Sequence, residues 1–321
     1  MMTDINQFNA PIQNIGTELV RPECVLTNQY GDIFVSDFRG GVTRIAPDGR
    51  QTFWGGEHPN VGVLQTNGFA LLEDGSFLIA HLGSEKGGVY RLTRDNVIEP
   101  WLTEVDGEPL PPTNFVYLDH QGRVWITVST RTSPRADAYR STCNDGFIVL
   151  VDSQGARIVA DGLGYTNEVW VNPEGTELYV NATFARELIK YHIESSELLN
   201  PTVICKFGPG TFPDGLTKDT EGNLWVTSIV SNRVIKITPD GNQTVWLESS
   251  DTYHTNWVEE AFIGHSMGRS HLDNNPSQIM RNISSLAFSR GYLIVGNLLN
   301  NHIHKIETDI QGVLPAHWEF K

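Results

Sequence analysis

Residues 212–227 read FPDGLTKDTEGNLWVT. An apolar strand enters at Phe212, a polar turn reverses it at Glu221-Gly222, and a second apolar strand leaves through Leu224, Trp225 and Val226. Glycine beside acidic or amide residues, set between β-branched and aromatic runs, is the pattern of a tight hairpin. One carboxylate, Asp214, stands at the mouth of the first strand.

The same outline recurs along the chain. PECVLTNQYGDIFVSD starts at Pro22 and turns at Tyr30-Gly31-Asp32. TNGFALLEDGSFLIAHL turns at Glu73-Asp74-Gly75, TNFVYLDHQGRVWITV at His120-Gln121-Gly122, and TNEVWVNPEGTELYVN at Pro173-Glu174-Gly175. ISSLAFSRGYLIVGN, from Ile283, turns at Arg290-Gly291. A second hairpin follows each of the first five copies, as in GVTRIAPDGRQTFW from Gly41 and NRVIKITPDGNQTVWLE from Asn232. Strand-rich repeats of about 40–50 residues predict one four-stranded sheet per copy, set around a common axis. Six copies predict an all-β, six-bladed β-propeller, a single domain over residues 1–321. A β-sandwich does not predict such self-similarity. The sixth copy lacks a clear fourth strand, which either residues 8–20 or the tail GVLPAHWEF would supply. No helix longer than a turn or two is expected.

Composition narrows the function. A formal charge of −15 argues against nucleic acid and anionic membranes, whose phosphates demand Lys and Arg. No apolar run reaches the roughly 18–20 residues that span a bilayer. The start, MMTDINQFNAPIQNIG, has no basic segment followed by an apolar one, so the expectation is a cytoplasmic protein. Cys24, Cys143 and Cys205 are too few and too scattered for a disulfide framework and read as free thiols. The sequons at Asn181, Asn242 and Asn282 then read as chance matches. The expected partner is a small-molecule substrate; the sequence carries no sign of oligomeric state.

In a propeller the innermost strands run beside the central channel and their first residues meet at one face. The residues just before those strands are Glu23, Asn67, Asn114, Asn167, Asp214 and Ser284. Two carboxylates, three carboxamides and a hydroxyl suit a hard cation, Ca2+ first, with Mg2+, Mn2+ or Zn2+ as other divalent candidates. Taken singly, each is an ordinary turn residue bonding its own backbone. All six at one repeat phase point to a central divalent-metal site.

With Pro22-Glu23, Thr113-Asn114, the NPEGTELYVN turn after Asn167 and Pro213-Asp214-Gly215 in view, the chain resembles the SMP-30/gluconolactonase/luciferin-regenerating family over nearly its whole length. The resemblance implies a metal held by Glu23, Asn114, Asn167 and Asp214. It also implies a lactone-opening hydrolase, with Asp214 as catalytic base or nucleophile and the metal polarising the ester carbonyl. Asn67 is then expected to line the site. Diisopropylfluorophosphatase-like propellers share the Glu–Asn–Asn–Asp set, so a phosphotriesterase is the alternative on the same metal. A non-catalytic calcium-binding propeller is the alternative from another class, and a strictosidine-synthase-like activity is a weaker one. Two positions depart from the family. Pro112 stands where animal sugar lactonases carry an Arg, and Glu168 follows Asn167 where Gly is usual. Glu168 is therefore a candidate ligand or substrate contact.

Two long connections, residues 129–146 and 249–281, open on the metal side and read as lids over a substrate pocket. His265 and His271 lie in the second, and His81 sits at the inner end of a second strand, so all three are candidates for substrate contact. No H-E-x-x-H pair, G-x-S-x-G elbow or phosphate loop is present. His302 and His304 fall in the outer half of the sixth repeat and are expected to be solvated.

Overall fold

The protein is described by a computed structural model covering residues 11–321. Six antiparallel four-stranded sheets form around one axis. Blade 5, built on the opening stretch, runs Thr211–Lys218, Leu224–Val230, Arg233–Ile237 and Gln243–Glu248. The innermost strand of each sheet packs on its neighbours, and the strand Val25–Thr27 of blade 1 meets Ile283–Ser289 of blade 6 to close the ring. The six-bladed propeller expected from the repeat is the fold.

The first hairpins of blades 1, 3, 4 and 5 are made in similar ways. Asp219 Oδ1 accepts from the backbone N–H of Glu221 and Asn223, while Oδ2 accepts from Trp225 Nε1 at 2.8 Å. Asp119 repeats this with Gln121, Arg123 and Trp125, and Asn28 and Asn172 do the backbone part in blades 1 and 4. An acid or amide bonding the chain two and four residues on replaces a backbone turn. The turn glycine that follows has φ between +70° and +92° in all six blades, a region closed to most side chains. Between blades the faces are apolar. Trp225 is fully buried and edge-on to Trp246 at 5.4 Å and to Phe288 of blade 6 at 5.7 Å. Burial of such rings, about 1.5–3 kcal/mol each, supplies the adhesion between neighbouring sheets.

The strand Ile12–Ile15 closes the sixth blade, pairing antiparallel with Ile303–Glu307; residues 8–10 of the expected segment lie outside the described residues. The tail takes a different path, bridging Gly312 to Asp219 beneath blade 5. This closure corrects one expectation. His304 is not solvated but wholly buried, because Asn14 of the added strand lies across it and its Oδ1 meets His304 Nδ1 at 3.0 Å. His302, two residues on the other side of the turn, stays partly exposed.

Helices correct another. Segment 249–281 contains α1, Thr252–Ile263, and the short α2, Arg269–Asp273. The side chain of Asp251 caps α1 by accepting from His254 N at 2.8 Å. His254, Val258, Ala261 and Phe262 are the face it buries, an i, i+4, i+7, i+8 stripe with only three apolar members, too few to stand out among the strand patterns. Among the described residues no helix is long and apolar enough to cross a membrane. The three cysteines are free.

Candidate functional site

The channel mouth is shaped by bulges. In blades 2 to 6 the register of the innermost strand slips where its polar residue sits: between Thr66 and Phe69, Thr113 and Phe115, Thr166 and Val169, Pro213 and Leu216, and Ile283 and Leu286. A bulge leaves one residue out of the ladder and re-aims its side chain. The polar residues are thereby freed from the sheet and turned toward the axis.

There they form a chain of hydrogen bonds. Asn67 Nδ2 donates to Glu23 Oε1 at 2.8 Å and to Asn114 Oδ1 at 3.1 Å; Asn114 Nδ2 donates to Asn167 Oδ1 at 2.7 Å. Asn167 Nδ2 donates to Thr183 Oγ1 at 3.0 Å and to Asp214 Oδ1. Thr183 Oγ1 in turn donates to the carbonyl of Pro213 at 2.8 Å. Glu23, Asn114, Asn167 and Asp214 line one pocket of about 130 Å³. Asn67 is buried behind them and acts through Glu23 and Asn114. Ser284 departs from the set: its hydroxyl donates to the carbonyl of Glu23 at 2.9 Å, joining blade 6 to blade 1 rather than facing the pocket.

Burial pushes the Asp214 carboxyl well above the usual range and the charge of Glu23 adds to this; Arg21 and the Asn167 amide pull the other way. Arg21, which the sequence did not single out, reaches into the ring. Its Nη1 donates to Asn67 Oδ1 at 2.7 Å and lies 2.8 Å from Glu23 Oε2. That second contact is an ion pair rather than an aligned hydrogen bond, so the guanidinium already offsets the Glu23 charge. The carboxylate and carboxamide oxygens of Glu23, Asn114, Asn167 and Asp214 are the donor chemistry that a hard divalent cation takes. Among the described residues no three of His, Cys, Asp and Glu gather as a metal site. Amide oxygens would therefore make up much of the ligand set.

Glu168 points elsewhere. Successive residues of a strand face opposite ways, so with Asn167 at the pocket, Glu168 turns into a second, more apolar cavity lined by Phe69, Phe115, Leu216 and His317. Its Oε2 accepts from Leu216 N at 2.9 Å, and burial raises its carboxyl well above the usual range. The histidines are also off the main pocket. His81 Nδ1 accepts from Gln65 N at 2.9 Å, its ring stands edge-on to Tyr90, and burial lowers its imidazole to about 4. His271 stacks on Trp257 at 4.1 Å and accepts from Gly268 N; His265 is exposed just past α1. None of these four residues lies against the ring of Glu23, Asn114, Asn167 and Asp214.

The two long connections do supply walls. Arg135 and Tyr139 come from the first, Arg269, Leu272 and Asp273 from the second. An aromatic cluster holds them: Tyr139 lies 4.8 Å from Phe184, and Phe262 of α1 lies 5.2 Å from Phe212 and 6.1 Å from Phe184. Arg186 clamps α1, its Nη1 donating to Glu259 Oε1 at 3.0 Å under the Phe262 ring. Arg135, Tyr139, Tyr165 and Arg269 were not legible as site residues, because only the folded connections bring them together.

Comparisons with known proteins bear on the family and the fold. Among curated proteins, the chain is similar to STRICTOSIDINE SYNTHASE-LIKE 13 of Arabidopsis thaliana (24% identity, 40% of this chain, 33% of that protein). It is also similar to YvrE of Bacillus subtilis, provisionally named a sugar lactone lactonase (26%, 46% and 49%), and to a 6-deoxy-6-sulfogluconolactonase of Pseudomonas putida (26%, 54% and 57%). The chain thus spans between a third and somewhat over half of the length of these relatives. Solved structures share the fold. A gluconolactonase of Xanthomonas campestris superposes with a TM-score of 0.67 at 16% identity, covering 93% of this chain and 90% of that one. The calcium-binding protein regucalcin of Agrobacterium tumefaciens gives 0.67 at 15%, covering 95% and 97%. Residues 21–267, well over half of the chain and the stretch that holds the whole polar ring, match the SMP-30/Gluconolactonase/LRE-like region, and the chain belongs to that family.

Proposed function

We propose that the protein is a divalent-metal-dependent lactonase that opens a cyclic ester with Asp214 as base or nucleophile. The observation that carries this is the placing of Asp214, a buried carboxylate on a pocket floor otherwise built of oxygen donors. The family and the lactonase relatives support the reaction class. The name of the regucalcin neighbour supports calcium.

Glu23, Asn114, Asn167 and Asp214 would hold the cation. When bound, it would polarise the lactone carbonyl and favour the ionised form of Asp214 against its burial. Asn167 holds Asp214 Oδ1, which leaves Oδ2 as the oxygen to act. As a base, Asp214 takes a proton from a water whose oxygen bonds to the carbonyl carbon. When the ring C–O bond breaks, the same proton passes to the departing alkoxide oxygen, leaving a hydroxy acid.

The test is metal analysis of the purified protein, with a lactone panel assayed before and after chelation. The expected result is about one divalent ion per chain and ring opening that disappears with chelator and returns with calcium. Tight calcium binding without hydrolysis of any lactone or ester would leave a binding protein instead.

A further inference from the structure

Six charged side chains line the pocket: Arg21, Glu23 and Asp214 at the floor, and Arg135, Arg269 and Asp273 from the two connections. Two ion pairs account for four of them, Arg21 with Glu23 at 2.8 Å and Arg269 with Asp273 at 2.7 Å. Asp214 and Arg135 are left. Asp214 has its place in the reaction above. The charges closest to it are Glu23 and Arg21, so Arg135 is not its counter-ion.

Of the three guanidinium groups on this pocket, Arg21 and Arg269 each face a carboxylate and Arg135 does not. Among the described residues Arg135 has none within ion-pair distance; its Nε is buried with no hydrogen-bond partner, and Nη2 reaches Ser129 Oγ only at 3.4 Å. A guanidinium stays charged at every accessible pH and offers a rigid fork of donors matched to carboxylate, sulfonate or phosphate. Partly stripped of water and given no protein anion, it is an incomplete site. It is also held in place. Arg135 opens a single 3-10 turn whose end, Ala138 and Tyr139, is buried in the aromatic cluster, and its guanidinium packs 5.6 Å from the Tyr165 ring centre. Arg269 Nη1 lies 3.4 Å from the Tyr139 hydroxyl on the same wall.

We propose that the substrate carries an anionic substituent, an oxyanion away from the ester, and that Arg135 binds it while the carbonyl lies over Asp214. The pocket is then bipolar, with an acidic floor for the cation and reacting ester and a basic wall for the substrate's charge. This deepens the lactonase reading of the floor and rests on it.

The test compares glucono-1,5-lactone with the same lactone bearing a phosphate, sulfonate or carboxylate at the sixth carbon, in wild type and in Arg135→Gln and Arg135→Lys. The expected result is a wild-type kcat/KM at least tenfold higher for one of the anionic lactones, and the identity of that lactone names the oxyanion. Arg135→Gln should cut the anionic-to-neutral ratio at least tenfold, mainly through KM, and Arg135→Lys should restore part of it. A ratio that Arg135→Gln leaves unchanged overturns the proposal. If wild type opens none of the lactones, the lactonase reading fails, and calorimetry with glucose and glucose 6-phosphate decides the anion site alone. Tenfold tighter binding of the phosphate, erased in Arg135→Gln, would sustain the site, whereas equal affinities would overturn it.

Discussion

The side-chain amide of Asn181 donates to the main-chain carbonyl of Asp214 at 3.0 Å and to that of Gly215 at the same distance. Asn181 lies near the end of the second strand of blade 4, Glu177–Ala182, so one blade fixes the backbone that carries the proposed base of the next. Thr183 does the same for Pro213. The bulge at Pro213–Leu216 frees Asp214 from the ladder, and the neighbouring blade supplies the bonds that the ladder gave up.

Asn181→Ala therefore orphans two buried carbonyls at once. At about 1–3 kcal/mol for each unsatisfied buried group, the unfolding free energy from a urea titration should fall by about 2–6 kcal/mol. The lactonase rate should fall as well, since Asp214 loses its register. A variant with native stability and full activity would show that the bulge holds Asp214 unaided.

Asp214→Asn keeps the shape and removes the proton acceptor. General-base catalysis is worth about 10²–10⁴-fold, so kcat on any lactone that the wild type opens should fall by that factor, with an unchanged circular dichroism spectrum. Full activity in the variant would remove Asp214 from the chemistry.

Arg21 carries a positive charge into the proposed cation site, where it holds Glu23 and Asn67. Arg21→Gln should move two measurements in opposite directions. Without chelated metal the variant should melt lower than wild type, because Glu23 loses the cation it is paired with. Calcium, relieved of a like charge, should bind at least tenfold tighter in a chelator competition. A weaker calcium site would mean that Arg21 orders the ligands rather than competing with the ion.

Much of this was legible from the chain because it is repeated. One copy of FPDGLTKDTEGNLWVT is a hairpin; six copies give the blade count, the turn glycines and the phase at which Glu23, Asn114, Asn167 and Asp214 meet. Features that occur once lack that support. Helix α1 has only Val258, Ala261 and Phe262 as apolar members of its buried stripe, and Arg135 sits in a connection that the other repeats do not copy. Glu168 was misplaced for a different reason: adjacency in sequence to Asn167 means opposition in a strand. His304 was misjudged because the strand that covers it comes from the far end of the chain, at residues 12–15.

The aromatic cluster gives a test of the connections as a cover. Phe262 packs on Phe212 and Phe184, and Tyr139 on Phe184, so α1 and the turn bearing Arg135 lean on shared rings. Phe262→Ala should loosen both, raising KM for lactone several-fold while calcium affinity, set by the floor, stays the same. Faster proteolysis within residues 249–281 should accompany it. Unchanged KM and unchanged proteolysis would show the cluster to be surface packing only.

His304 offers a pH signature of ring closure. Burial beneath the strand Ile12–Ile15, with the nearby His302 contributing, lowers its imidazole from 6.5 to about 4. Between those values an unfolded chain binds a proton that the folded protein refuses. Its contribution to stability is therefore complete above pH 6.5 and is lost as pH falls toward 4. The shift is 6.5 − 4 = 2.5 units, about 3 kcal/mol at about 1.4 kcal/mol per unit. His81 and His317 are lowered to about 4 as well, while the raised carboxyls of Asp214 and Glu168 act with the opposite sign, so the wild-type slope alone does not isolate one group. The difference between wild type and His304→Gln does, since the other groups cancel. Glutamine keeps a donor for Asn14 Oδ1 but takes up no proton, so the variant should lose less stability on acidification, the gap closing by about 3 kcal/mol between pH 7 and pH 4. Parallel pH curves for the two proteins would mean that His304 titrates normally, and that the closing strand opens well before the rest of the ring unfolds.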